Sequence, residues 1–170
     1  MPARPSSGLR PSRAAAVFYI LSLLGAGCLV ASTFLAPWLA ARESILAEPL
    51  YRMFSHVCHQ IPSRCLHISG HPMAVCGRCL GVYLGIFLGC LIYPFWRGWG
   101  NIRLPARWVF PAFSFPLAFD VLGNALRLWD SSVGLRLASG FFWGAVLPFY
   151  FLAAAAELAY RGLAIRRSSN

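Results

Sequence analysis

Four of the six cysteines and all four histidines of this chain fall between His56 and Cys79. Cys58-His59-Gln60 opens the segment. Cys76-Gly77-Arg78-Cys79 closes it, at the start of an apolar run. A Cys-x-x-Cys spacing sets two sulfurs about one helical turn apart, close enough to share a metal ion or to close a tight disulfide. Cys58 and His59 would complete a tetrahedron with Cys76 and Cys79. Three thiolates and an imidazole suit zinc first, with iron or copper behind it. His56, Cys65, His67 and His71 are further donors in the same stretch. Gln60, Arg64 and Arg78 would orient ligands or bind an anion. Four protein ligands make a structural site, whereas an enzyme needs an open position, so these residues leave enzyme or non-enzyme undecided.

Two other chemistries fit the same residues. A helix N-terminus and Arg78 would both lower the pKa of nearby cysteines. Cys76 and Cys79 would then be a reactive thiol pair, with Cys58 and Cys65 as a second pair. That is the layout of a membrane thiol–disulfide oxidoreductase. It is similar, in layout and not in sequence, to the four-helix quinone-coupled enzymes of the vitamin K epoxide reductase group, and quinone is a cofactor only under this alternative. The plainest alternative is a structural disulfide tying the loop to the next helix, which an even number of cysteines allows. Cys28 and Cys90 lie inside apolar stretches and read as small packing residues.

The elements that must carry this segment are apolar. Of 170 residues, 58% are hydrophobic and 12% charged, against roughly 25% charged in soluble domains. Mean hydropathy is +0.61. A lipid bilayer is the partner this composition requires. The net charge of +10 comes from arginine alone, since no lysine is present. These arginines flank apolar runs, as membrane topology demands, and do not form the basic face that nucleic acid would need.

The chain reads as one domain, a bundle of four transmembrane helices over 14–160 with a Cys/His-rich loop at one face. A disordered basic tail covers 1–13 and a second basic tail 161–170. The first span is Ala14–Ala40, long enough to cross and too long for a signal-peptide core. Arg42–Arg52 reads as a short surface helix. The later spans are Leu80–Phe95, Trp108–Leu126 and Gly134–Tyr160, with a polar connection over Arg97–Arg107. Four crossings put both termini on one side. The arginine bias makes that side cytoplasmic and the Cys/His loop outer, in a multi-pass plasma-membrane protein.

Gly77, Gly81, Gly85 and Gly89 recur every four residues and form a smooth stripe for close helix packing. Such a stripe serves a homodimer as readily as an internal contact. Gly140 and Gly144 do the same on the last span. Asp120, Asn124 and Arg127 share a face of the third span. An intramembrane carboxylate seeks a partner; Arg136 is the first choice for Asp120 and Arg127 the second. A structural ion pair is the simple reading. A site for small-molecule or lipid-headgroup binding or transport is the functional one.

The stretches Phe54-Ser55-His56-Val57-Cys58-His59-Gln60 and Pro72-Met73-Ala74-Val75-Cys76-Gly77-Arg78-Cys79-Leu80-Gly81-Val82-Tyr83-Leu84-Gly85 resemble the signature of an uncharacterised prokaryotic membrane-protein family with domain of unknown function 2085. The resemblance continues through Phe119-Asp120, Asn124, Ser131-Ser132, Leu135-Arg136-Leu137 and Gly140, and spans roughly residues 50–150. It implies functional weight at Cys58, His59, Gln60, Arg64, Cys76, Arg78, Cys79, Tyr83, Asp120 and Arg136. It does not extend to Cys65, where relatives usually carry Ser, which weakens the two-pair redox scheme. Val133-Gly134 stand where the family has an asparagine before the arginine. The family name supplies no activity.

Overall fold

The computed structural model describes residues 13–97 and 104–168. Most of the predicted 1–13 tail and residues 98–103 of the polar connection lie outside the described residues. Among the described residues the fold has five α-helices, one 3-10 turn (Pro62–Arg64) and one small antiparallel sheet. Three of the helices are long and apolar enough to cross a membrane: α1 (Arg13–Ala40), α3 (Gly77–Arg97) and α5 (Val133–Ser168). Helix α4 (Val109–Ala125) is apolar but shorter. Helix α2 (Ala47–Ser55) lies between α1 and the cysteine segment, where a surface helix is expected.

The fold is mostly helical, as expected, and the cysteine segment adds to it a small β-hairpin of β1 (Cys65–Ile68) and β2 (His71–Cys76). Ser69 and Gly70 make its turn with φ of 51° and 83°, the two positive values that a tight type I′ hairpin turn requires. The part of α5 apolar enough for a crossing is Val133–Leu158, beside the expected span Gly134–Tyr160, and the helix itself continues through the basic stretch to Ser168.

The chain folds this way because α3 and α5 can approach at backbone distance. A Cβ on Gly77 would stand 2.8 Å from the Val133 carbonyl oxygen, and one on Gly89 2.6 Å from that of Ala145. Gly81 and Gly85 face the carbonyls of Leu137 and Phe141 more tightly still. The fit is mutual: Gly140 and Gly144 of α5 lie against the carbonyls of Arg78 and Val82. The stripe is thus occupied inside the molecule, by α5.

Around this pair, α1 packs on α3, α5 and β2. Its Ala36 joins Phe54, Cys58, Met73, Ala74, Val75 and Leu80 in a core beneath the hairpin. A second core, of Cys90, Tyr93 and Leu152, sits toward the other end of α3. Cys90 is buried there, as expected of a packing residue, whereas Cys28 faces outward. Helix α4 is held to α5 by polar contacts: Trp143 Nε1 donates to Ser114 Oγ at 3.1 Å, and the Phe110 N–H to the Tyr150 hydroxyl at 3.1 Å.

The glycine fit yields a direct test. Gly85→Leu should destabilise the detergent-solubilised protein by about 1–3 kcal/mol or more, the range for overpacking. Gly25→Ala, whose new methyl meets nothing within 4 Å, should stay within about 0.5 kcal/mol of the parent. Thermal unfolding of the two variants side by side decides; equal effects would refute the close-packing account.

Candidate metal centre

Three elements deliver the cysteines to one point. Cys58 follows the C-terminus of α2, its N–H donating to the Phe54 carbonyl at 2.9 Å. Cys76 is the last residue of β2, and Cys79 lies in the first turn of α3. The Sγ atoms of Cys58, Cys76 and Cys79 all fall within 4.8 Å of one another. Cys76 and Cys79 are 3.6 Å apart at sulfur. Sulfurs on a tetrahedral zinc, each about 2.3 Å from the metal, sit about 3.8 Å apart. A disulfide needs about 2.05 Å, and all six cysteines are free thiols.

The surroundings favour thiolate at Cys76. Its N–H points at Cys58 Sγ, 3.2 Å away, a contact that orients that sulfur toward the cluster. Hydrogen bonds from the Cys58 and Cys79 thiols, and then from the N–H groups of Cys79 and Arg78 at the start of α3, hold the Cys76 thiol far below its ordinary pKa. Cys65 behaves oppositely. It is buried at the start of β1, and burial, followed by the charges of Cys58 and Cys76, pushes it up to about 11.

Gln60 and Tyr51 fix the loop. Gln60 adopts φ 51°, and its amide donates to the carbonyls of Tyr51, at 2.7 Å, and Ala74, at 2.8 Å. The Tyr51 hydroxyl donates to the Pro72 carbonyl. Together these contacts tie the turn after Cys58 to the hairpin that carries Cys76. Tyr83 stands beside the same core, its ring 6.4 Å from that of Phe54. His59 and Arg64 are exposed, and His59 is not among the donors drawn together.

Arg78 has a different partner from the one expected. Its Nε donates to Asp120 Oδ2 at 3.0 Å, and its Nη2 closes a salt bridge to the same oxygen. The anticipated Asp120–Arg136 pair is therefore overturned, as is the alternative with Arg127, which is exposed at the end of α4. Arg136 is buried but reaches Asp130 at 2.7 Å, Asn124 Oδ1 at 2.6 Å and the Ser131 carbonyl at 2.9 Å. Asn124 and Ser131 link the two systems, since both also donate to Asp120 Oδ1. The physical reason is the α3–α5 fit. With the Arg78 carbonyl against Gly140, Arg78 lies on the interior side of α3, facing α4. A helical face can be read from one segment; the identity of the helix opposite cannot.

Comparison with known proteins agrees with the resemblance in the motifs. A family described as predicted membrane protein (DUF2085) matches residues 58–150. An uncharacterised protein of Methanocaldococcus jannaschii is 33% identical over 150 residues, covering 85% of this chain and 96% of its own length. An uncharacterised protein of Methanothermobacter thermautotrophicus is 47% identical over 90 residues, covering 51% of this chain and 77% of its own. No solved structure shows a significant match.

Two outcomes follow from the geometry. Removing one member of a buried ion pair typically costs about 3–5 kcal/mol, so Asp120→Asn should lower stability by that order, and Arg78→Met together with Asp120→Leu should recover part of it. A double-mutant cycle showing no coupling would contradict the pairing. A depressed thiol pKa means Cys76 is thiolate at neutral pH and remains so as pH falls, whereas Cys65 stays protonated until pH approaches about 11. Brief alkylation of metal-free protein at pH 6 should label Cys76 ahead of Cys65, as read by peptide mapping.

Proposed function

The chain belongs to the family of predicted membrane proteins with domain of unknown function 2085, and we propose that it is a multi-pass protein whose thiols Cys58, Cys76 and Cys79 hold a metal ion at the membrane surface. The observation that carries this reading is the convergence of three free sulfurs from α2, β2 and α3 within 4.8 Å. Zinc is the first choice, because it accepts a thiolate-rich tetrahedron without geometric preference of its own; iron and copper follow. His59 adjoins Cys58 in the chain and is the imidazole candidate for the remaining position. Gln60 would maintain the ligand geometry by its two backbone contacts. Arg78 would anchor the Cys-x-x-Cys turn to Asp120.

The membrane arrangement belongs to the same proposal. Helix α4 has 17 residues, about 26 Å at 1.5 Å per residue, and would serve as a tilt-free fourth crossing of a hydrocarbon layer of about 30 Å. Four crossings leave both termini on one side. The arginine bias between the two sides favours cytoplasmic termini in a plasma membrane, with the cysteine segment on the outer face.

The redox alternative draws on the 3.6 Å approach of Cys76 and Cys79. Their oxidation to a disulfide would pass two electrons and two protons to an acceptor such as a membrane quinone. Headgroup or small-molecule transport through Asp120, Asn124 and Arg136 gains less support, since these groups bond to one another and to Arg78.

Elemental analysis of protein purified in detergent without chelator or oxygen separates the readings. The expected result is about one zinc per chain, lost in Cys58→Ser, Cys76→Ser and Cys79→Ser alike. No metal, together with a Cys76–Cys79 disulfide in mapped peptides, would overturn the metal centre in favour of thiol chemistry.

A further inference from the structure

The three-thiol group leaves one corner of a tetrahedron to be filled, and the hairpin carries a fourth thiol, Cys65, that lies outside the 4.8 Å group but is paired in register with one of its members. Cys65 begins β1 and is the register partner of Cys76 in β2. Residues directly opposed in an antiparallel pair have Cα atoms about 4.5–5.5 Å apart and send their side chains to the same face of the sheet. The Cys65 side chain therefore emerges next to that of Cys76, itself one of the three converging ligands. Cys65 is 3% exposed, so it points inward, toward the protein and not toward solvent. Its thiol donates to the Ile61 carbonyl at 3.2 Å, a weak link that ligation could replace. The 3-10 turn Pro62–Arg64 brings the chain back from the Cys58 loop to this position.

The other donors of the segment are less well placed. His56, His59 and His67 are exposed. His71 lies at the turn end of the hairpin, opposite Ile68, and is five residues from Cys76. At about 3.3 Å per residue that is about 16 Å.

We propose that Cys65 is the fourth ligand, so that one divalent ion is held by the thiolates of Cys58, Cys65, Cys76 and Cys79 in a closed, four-sulfur site. This rests on the reading that the first three bind metal, and it deepens that reading: a site with no open position holds structure and does not turn over substrate. All four ligands bind as thiolates, any proton still on a sulfur going to solvent, which leaves two excess negative charges around a divalent ion. The N–H of Cys76 at Cys58 Sγ and the N–H groups at the start of α3 offset part of that excess.

X-ray absorption at the zinc edge, on the full zinc-loaded chain in detergent, counts the ligands. The expected result is four sulfurs at about 2.3 Å in the parent and in His59→Ala, and three sulfurs with one lighter atom at about 2.0 Å in Cys65→Ser. Serine retains a hydroxyl for the Ile61 carbonyl. Should that variant fail to fold, the parent spectrum decides by itself, because the two remaining cysteines lie in α1 and along α3. A parent with three sulfurs and one nitrogen or oxygen would overturn the role of Cys65 and leave the three-thiol centre standing. A parent that binds no zinc would overturn both.

Discussion

Every functional contact in this protein depends on two helix backbones lying against each other. Six glycines, four on α3 and two on α5, remove the side chains that would hold those backbones apart. In a bilayer no hydrophobic force draws one helix to another, so close van der Waals packing has to supply the association. The fit is reciprocal, each helix presenting glycines to the other's carbonyls, and this fixes rotation and register together. Arg78 consequently emerges where Asp120 can meet it, and Cys79, one residue on, is held at a set height beside Cys76. The geometry of the three-cysteine cluster thus depends on helix packing, reinforced by the contacts of Gln60 and Tyr51.

Burial and pairing explain why a charged network can sit in so apolar a molecule. Asp120, Ser131, Arg136 and Ser139 are all buried, and each has hydrogen-bonding partners. A buried charge is tolerated when its partners replace water. The carboxylate of Asp120 receives Arg78 on one oxygen and Ser131 and Asn124 on the other. Beside it, Phe119, Trp129, Leu135 and Phe142 line an apolar cavity of about 270 Å³, which keeps the pair in a medium of low polarity.

Much of this was legible in the sequence, and the failures are specific. The glycine period of four could be read directly, because identical spacing on one helix has one geometric meaning. The convergence of Cys58 with Cys76 and Cys79 was legible as chemistry, since soft donors rarely cluster by accident. The hairpin was not. Pro72 sits inside β2 and argues against a strand, and two strands of four and six residues offer little alternation to detect. The partner of Asp120 was misread because sequence spacing within α4 says nothing about which helix lies across from it. Gln60 was noticed, but only its fold-back onto Tyr51 and Ala74 shows that it braces the loop. Cys65 was set aside because relatives usually carry serine there, a comparison blind to its register opposite Cys76.

Helix α4 is short for a bilayer crossing, and it carries a carboxylate. At the centre of a lone helix, an aspartate costs about 2.5–3.5 kcal/mol to insert, enough to make the segment a poor candidate for entering lipid by itself. Its counter-charge precedes it in the chain, on α3, while the serine and asparagine contacts are completed by the turn that follows and by α5. Under the proposed four-crossing arrangement, α4 would meet its counter-charge on a helix made before it, and its entry into lipid would be coupled to the presence of α3 and completed by α5.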